Sequence, residues 1–345
     1  MKTRILLLIY ISLNSIFCFS QAGTGVYRFL ELPISSRLSA MGGTNISLRD
    51  NDINFAFQNP ALLTSETHNV LALNTANYLS DIQFGSAVYG RTFGDKNYMA
   101  IGLQYVDYGV FKGVTDLNIE VGEFTAKDMA LSVMYARPLN KFFSVGATLK
   151  PVYSVYELYS SFGIAADAGV SFKDSSGLFS AGLAFRNIGT QITGYYSFEG
   201  SQHYEPLPFD IQLGATVKLK HAPLRFNFTL HDLHRWDLNF QSTNQVVDDF
   251  GDSEDLTISF VDMAFRHSII SVEFVPTKTF YLTAGYNHRR HQELGMPGFK
   301  SMAGFSFGGG IKLYKFQVGF GTTVFQVGNT SYQFSISTAL NEFKL

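Results

Sequence analysis

Two short strings bring histidine next to charge: His231-Asp232-Leu233-His234 and His288-Arg289-Arg290-His291. A bound zinc needs three or four nitrogen, oxygen or sulfur donors at fixed spacing, and the first string supplies no clear set beyond itself. In the second, adjacent guanidinium groups repel a cation. Planar guanidiniums suit phosphate and carboxylate instead, so His288, Arg289 and Arg290 read as a solvated basic turn. The alternative is a contact with lipopolysaccharide phosphates or an acidic partner. Asp248, Asp249, Asp252, Glu254 and Asp255 form an acidic run whose spacing does not match a calcium-binding EF-hand loop, and it reads as solvated. No Ser, His and acid set falls on strand positions that would bring its members together. No catalytic residue, metal ligand or cofactor site is therefore expected, and the chain is not expected to be an enzyme.

Those strings fall between stretches of another kind. In residues 301–340, Phe305, Phe307, Ile311 and Leu313 alternate with Ser306, Gly308, Gly310 and Lys312. The same rhythm resumes in Phe316, Val318 and Phe320, and again in Tyr332, Phe334 and Ile336. Alternation of this period is that of an extended strand with two unlike faces. Gly and Ser on one face fill no core, so the bulk belongs outside, against lipid.

From His68 onward the pattern predicts fourteen strands of barrel length, beginning with residues 68–78 and 82–93. Short connections fall near Asp95, Asn140, Asp174, His221, Pro276 and Tyr314, always between an even and an odd strand. The longer ones, residues 107–127, 189–206, 234–256 and 288–300, fall at odd-to-even connections. Tight turns at one end and long loops at the other are the arrangement of outer-membrane barrels. The long loops are expected at the cell surface and the termini on the periplasmic side. Tyr195, Tyr196, Trp236, His288, Arg289 and Arg290 lie in these loops and are the candidate partner-binding residues. Residues 256–266 (LTISFVDMAFR) read either as a short amphipathic helix with Leu256, Phe260, Met263 and Ala264 on one side or as an extension of the next strand. Trp236 marks the outer membrane interface.

Hydrophobic residues make up 46 % of the 345 positions and aromatic residues 15 %. Past residue 20 no apolar run approaches the roughly 20 residues of a spanning helix, so a membrane protein of this sequence must be a barrel. The formal net charge is -2, and loss of Lys2 and Arg4 would make it more acidic, which gives no electrostatic case for nucleic acid. Lys2 and Arg4, an apolar run, then Cys18 and Ser20 predict a signal peptide over residues 1–20. Phe17 stands where a small residue would precede a lipid-modified Cys18. The lumen charges Asp167, Arg186, Lys218, Arg225 and Glu273 are expected to pair with one another.

Residues 21–66 lack sustained alternation and hold Met41-Gly42-Gly43 and Asn59-Pro60-Ala61. Paired glycines allow close backbone packing, and Asn-Pro starts a turn. The segment reads either as an N-terminal loop and turn or, preferred here, as a small plug within a barrel formed by residues 67–345.

The plug strings Met41-Gly42-Gly43 and Asn59-Pro60-Ala61 resemble those of the FadL-like outer-membrane barrels. The run GTGVYRFL at residues 23–30 with SSRLSAMGG at residues 35–43, and the stretch AGYNHRR at residues 284–290, are similar more narrowly to the PorQ family of the Bacteroidetes type IX secretion system. That resemblance implies an all-β, 14-stranded antiparallel transmembrane barrel acting as a scaffold in the surface attachment complex. Its implied partners are a PorZ-like surface protein, PorU- and PorV-like components, and outer-membrane lipid and lipopolysaccharide, to which the complex attaches secreted cargo. The alternative is a FadL-like channel for uptake of hydrophobic small molecules.

Overall fold

The computed structural model describes residues 25–78, 81–114, 120–195, 197–198, 201–202, 204–238, 258–295, 301–326 and 329–343. The expected signal peptide, the acidic run and Tyr196 lie outside the described residues.

The strands are β1 (Val70–Asn77), β2 (Gln83–Phe93), β3 (Asn97–Val114), β4 (Glu120–Pro138), β5 (Phe143–Tyr156), β6 (Tyr159–Lys173) and β7 (Phe179–Thr193). After a two-residue ladder, β8 (Ser197–Phe198) with β9 (Ser201–Gln202), come β10 (Asp210–Lys218), β11 (Leu224–Leu230), β12 (Ser268–Thr277) and β13 (Phe280–Asn287). The last three are β14 (Phe305–Leu313), β15 (Phe316–Gln326) and β16 (Asn329–Ala339). All except β8 and β9 form one closed antiparallel barrel, in which β1 pairs with β2 on one side and β16 on the other. The fourteen strands expected from alternation are the fourteen of the barrel.

Side-chain phase follows the sequence. Phe307, Phe320, Phe334, Ile101, Leu131 and Phe228 are exposed on the outside, while Ser306, Ser132, Thr148, Ser171 and Asn227 are buried on the inside. An outer surface of this composition is insoluble in water and suits hydrocarbon, as in outer-membrane barrels. Closure leaves no unpaired edge, which hydrocarbon would not tolerate.

Three expectations change. The loop expected over residues 107–127 is strand over residues 107–114 and 120–127: β3 and β4 pair out to Val114↔Glu120, with the ladder interrupted after Asp107, where Gly109 takes a positive φ. Residues 189–193 belong to β7, leaving the connection to begin at Gly194. Lys218 is exposed at the short-turn end of β10, where the strand runs past the filled lumen, and does not join the interior charges.

The N-terminal segment lies inside the barrel. Its helix α1 (Ser36–Ala40) is capped by Ser35, whose Oγ accepts from Leu38 N, and is stopped by Gly42 and Gly43, both at positive φ. Asn59 caps the turn at Pro60–Leu62 by accepting from Ala61 N at 3.0 Å. Its amide also donates to Ile46 O at 2.9 Å within the segment and to Val170 O at 3.2 Å on the wall. Leu38, Met41, Phe55, Phe57 and Leu63 pack against inward-facing Ala72, Val88, Ala100 and Met134. Burial of each such side chain stabilises by about 1.5–3 kcal/mol. The wall is thinned to admit the segment: a Cβ on Gly182 would stand 2.1 Å from Ile46 O, and one on Gly321 2.2 Å from Ser36 O.

Candidate functional site

Charges buried below the surface fasten this segment to the wall. Arg37, on α1, reaches Asp50 at 2.5 Å, Asp52 at 3.5 Å and Glu273 of β12 at 2.9 Å. Arg225 of β11 closes the circuit, bonding Asp50 at 2.9 Å and Glu273 at 3.0 Å. The expected pairing of Arg225 with Glu273 is therefore present, and two residues of the N-terminal segment are drawn into it. Burial would raise the Asp50 carboxyl, but Arg37 and Arg225 outweigh it and lower it to about 2. Asp52 has the longer Arg37 contact and two bonds from Asn54, but burial, helped by the neighbouring Asp50, prevails and raises it. Asp167 pairs with Lys150 at 2.7 Å. Arg186 instead donates to Leu30 O at 3.2 Å.

Hydroxyls do comparable work on the opposite wall. Asp128 of β4 accepts from Tyr108 at 2.6 Å, from Tyr156 at 3.0 Å and from Ser154. Tyr27 meets Ser161 at 2.6 Å, and the candidate Tyr195 turns inward to bond Ser154 at 2.7 Å.

A cavity of about 620 Å³ lies between the N-terminal segment and the strand ends from which the longer connections spring. Gly42, Gly43 and Thr44 contribute to its lining, and Tyr78, Phe325, Asp210 and Arg186 stand around it. Its remaining charges come from α3 (His288–Leu294), which begins where β13 ends and takes Asn287 as its N-cap. The expected solvated basic turn is thus a helix with engaged side chains. His288 Nε2 faces Asp262 Oδ1 at 2.7 Å; Arg289 bonds Asp232 at 2.9 Å and Glu293 at 2.6 Å. Arg290 is different. Its guanidinium lies over the Phe325 ring at 4.8 Å, and Nη1, shielded from solvent, has no hydrogen-bond partner among the described residues.

Residues 256–266 resolve as helix over Phe260–Arg266, labelled α2, while Leu256 lies outside the described residues. Met263 is buried, but Phe260 is exposed and stacks on Trp236 at 4.8 Å, with His267 on Trp236 at 5.3 Å. Trp236 is thus half-exposed at the rim within an aromatic stack.

One metal-like grouping escaped the sequence reading because its third member is distant: Asp210 joins Asp232 and His234, their ligand atoms within 4.8 Å of one another. Asp232 is already held by His231, Arg289 and Arg235. Burial would raise its carboxyl, yet these neighbours hold it well below the usual range. A metal ion would have to displace them, so the donor set does not fit one. The sequence reading also passes over Gly304-Phe305-Ser306-Phe307-Gly308, which has the spacing of a hydrolase nucleophile elbow. Ser306 lies inside strand β14 rather than on a sharp turn, and its hydroxyl meets Thr323 at 3.2 Å.

No family model and no curated protein matches the sequence. Solved structures do match in fold. The Pseudomonas putida toluene transporter TodX is 12 % identical, with 89 % of this chain and 96 % of that chain covered at a TM-score of 0.51. A Pseudomonas aeruginosa FadL homologue is 13 % identical, with 92 % and 100 % covered at 0.52. At this identity the likeness establishes the fold: a closed barrel of FadL type.

Proposed function

We propose that the chain is an integral outer-membrane barrel, closed by its N-terminal segment as a plug, that serves as a scaffold for a surface assembly. Long connections face the outside and termini the periplasm. The assembly is of the type IX secretion kind, with a PorZ-like surface protein as direct partner, beside PorU- and PorV-like components that attach cargo to lipopolysaccharide. The observation that supports a scaffold over a conduit is the charge lock at Arg37. A lumen filled by buried ion pairs and backbone-to-backbone contacts leaves the outer end as the part free to interact. The particular partners rest on the resemblance of residues 23–43 and 284–290.

A second reading, a channel for hydrophobic small molecules, has its own support in the 620 Å³ cavity and in a fold shared with a toluene transporter. The charged residues in the cavity lining argue against an apolar route. Crosslinking followed by pull-down of the tagged barrel from native outer membranes separates the two. A co-purified soluble surface protein, lost when residues 194–206 are deleted, is the expected result. Recovery of the barrel alone, with hydrocarbon uptake dependent on it, replaces the scaffold reading with the channel.

A further inference from the structure

Most of the cavity's acidic groups are already paired or bonded. Arg28 is matched by Glu31 at 2.9 Å. Asp232 and Glu293 share Arg289, Asp210 accepts from Gln212 and from the backbone of Asp232, and Arg186 donates to Leu30 O. Arg290 has no carboxylate partner among the described residues. Burial pushes its guanidinium down from the usual range, with Tyr78 and Glu293 only partly compensating. A guanidinium held in this way favours an arriving anion, because its Nη1 is already out of water and unbonded among the described residues. Phe325 beneath and Gly43 alongside fix its plane; a Cβ on Gly43 would stand 3.2 Å from Nη2.

We infer that the cavity is a docking pocket for an acidic peptide segment, whose carboxylate pairs with Arg290. A volume of about 620 Å³ falls in the range of ordinary ligand pockets, roughly 300–1,000 Å³. The walls decide the class of ligand. Thr44, Gln212, Asn287 and Asn329 add polar groups to a lining that is already heavily charged. Thr44, Gln212 and Asn287 are already bonded within the wall, but a hydrocarbon tail would strip water from the charged Glu31, Asp210, Arg289 and Arg290, whereas a peptide offers these groups a carboxylate and backbone donors and acceptors. The inference rests on the scaffold reading, of which it names one contact.

The test is titration calorimetry of the full-length barrel in detergent with acetyl-Ala-Glu-Ala-amide, its Gln counterpart, and dodecanoate. The Glu peptide is expected to bind at least ten-fold more tightly than the Gln peptide. Arg290→Gln should abolish that difference, and Arg290→Lys should keep most of it. Heat-modifiable migration checks that each variant is folded; if Arg290→Gln fails to fold, the Glu-to-Gln ratio in the wild type and in Arg290→Lys decides. Equal binding of the two peptides, an unchanged ratio in folded Arg290→Gln, or dodecanoate binding more tightly than the Glu peptide would overturn the inference. A surface protein still recovered by pull-down in that case leaves the scaffold standing and removes only this pocket from it.

Discussion

Arg37 Nε donates to Glu273 Oε1 over 2.9 Å, joining a helix of the N-terminal segment to a barrel strand 236 residues later. Glu273 is fully buried and is shared with Arg225, so the contact is one arm of a five-residue circuit rather than an isolated pair.

Removing Arg37 leaves Asp50 and Glu273 with Arg225 and leaves Asp52 without a cation among the described residues. Breaking a buried ion pair from one side costs about 3–5 kcal/mol. Arg37→Ala is expected to lower stability by that amount in urea unfolding from liposomes. Loss of less than about 1 kcal/mol would mean that water replaces the guanidinium readily.

Acid should loosen the lock late. Asp50 sits at about 2 against an ordinary 3.8, so its stabilisation is complete above the ordinary value and is lost as pH falls through about 2. Asp52 is raised, so its protonation in mild acid favours the folded state and has the opposite sign. Pepsin, active throughout this range, should therefore leave residues 36–57 uncut at pH 4 and cut them near pH 2. Cutting at pH 4 would show that the circuit does not govern release.

Gly182→Ala places a methyl group against the carbonyl of Ile46, a backbone atom that cannot turn aside. Overpacking of this kind costs about 1–3 kcal/mol. The expected outcome is a folded barrel whose segment is partly displaced, read as raised ion conductance in planar bilayers.

Phe320 points outward from β15. Phe320→Arg is expected to cost about 2–4 kcal/mol in folding into phosphatidylcholine vesicles if the site lies near the midplane, with Phe320→Leu close to neutral. Equal yields of both variants would place this face away from lipid.

The barrel was legible in the sequence because each strand carries its own instruction. Phe305, Phe307 and Ile311 against Ser306 and Gly308 specify which face is out without reference to any other strand. The strand extensions over residues 107–114 and 120–127 were missed because polar Asp107, Lys112 and Glu120 interrupt alternation there. The cavity was legible only in pieces. Arg289 and Arg290 stood out, but nothing local says that one meets Asp232 while the other stays unpaired. Asp210 drew no notice because its neighbours in space lie in β7 and beyond β11. Such pairings are set by barrel closure, which sequence spacing does not encode.

The pairing of β1 with β16 has a consequence for biogenesis. The N-terminal segment leaves the synthesis machinery first, yet Ser36 rests on Gly321 and Arg37 on Glu273, which arrive near the end. No truncated intermediate can hold the segment in its final place. The last hairpins and the first strand must meet around it, so insertion is all or nothing: a chain cut short before β12 would carry an exposed, greasy segment with nowhere to go, a ready target for proteolysis.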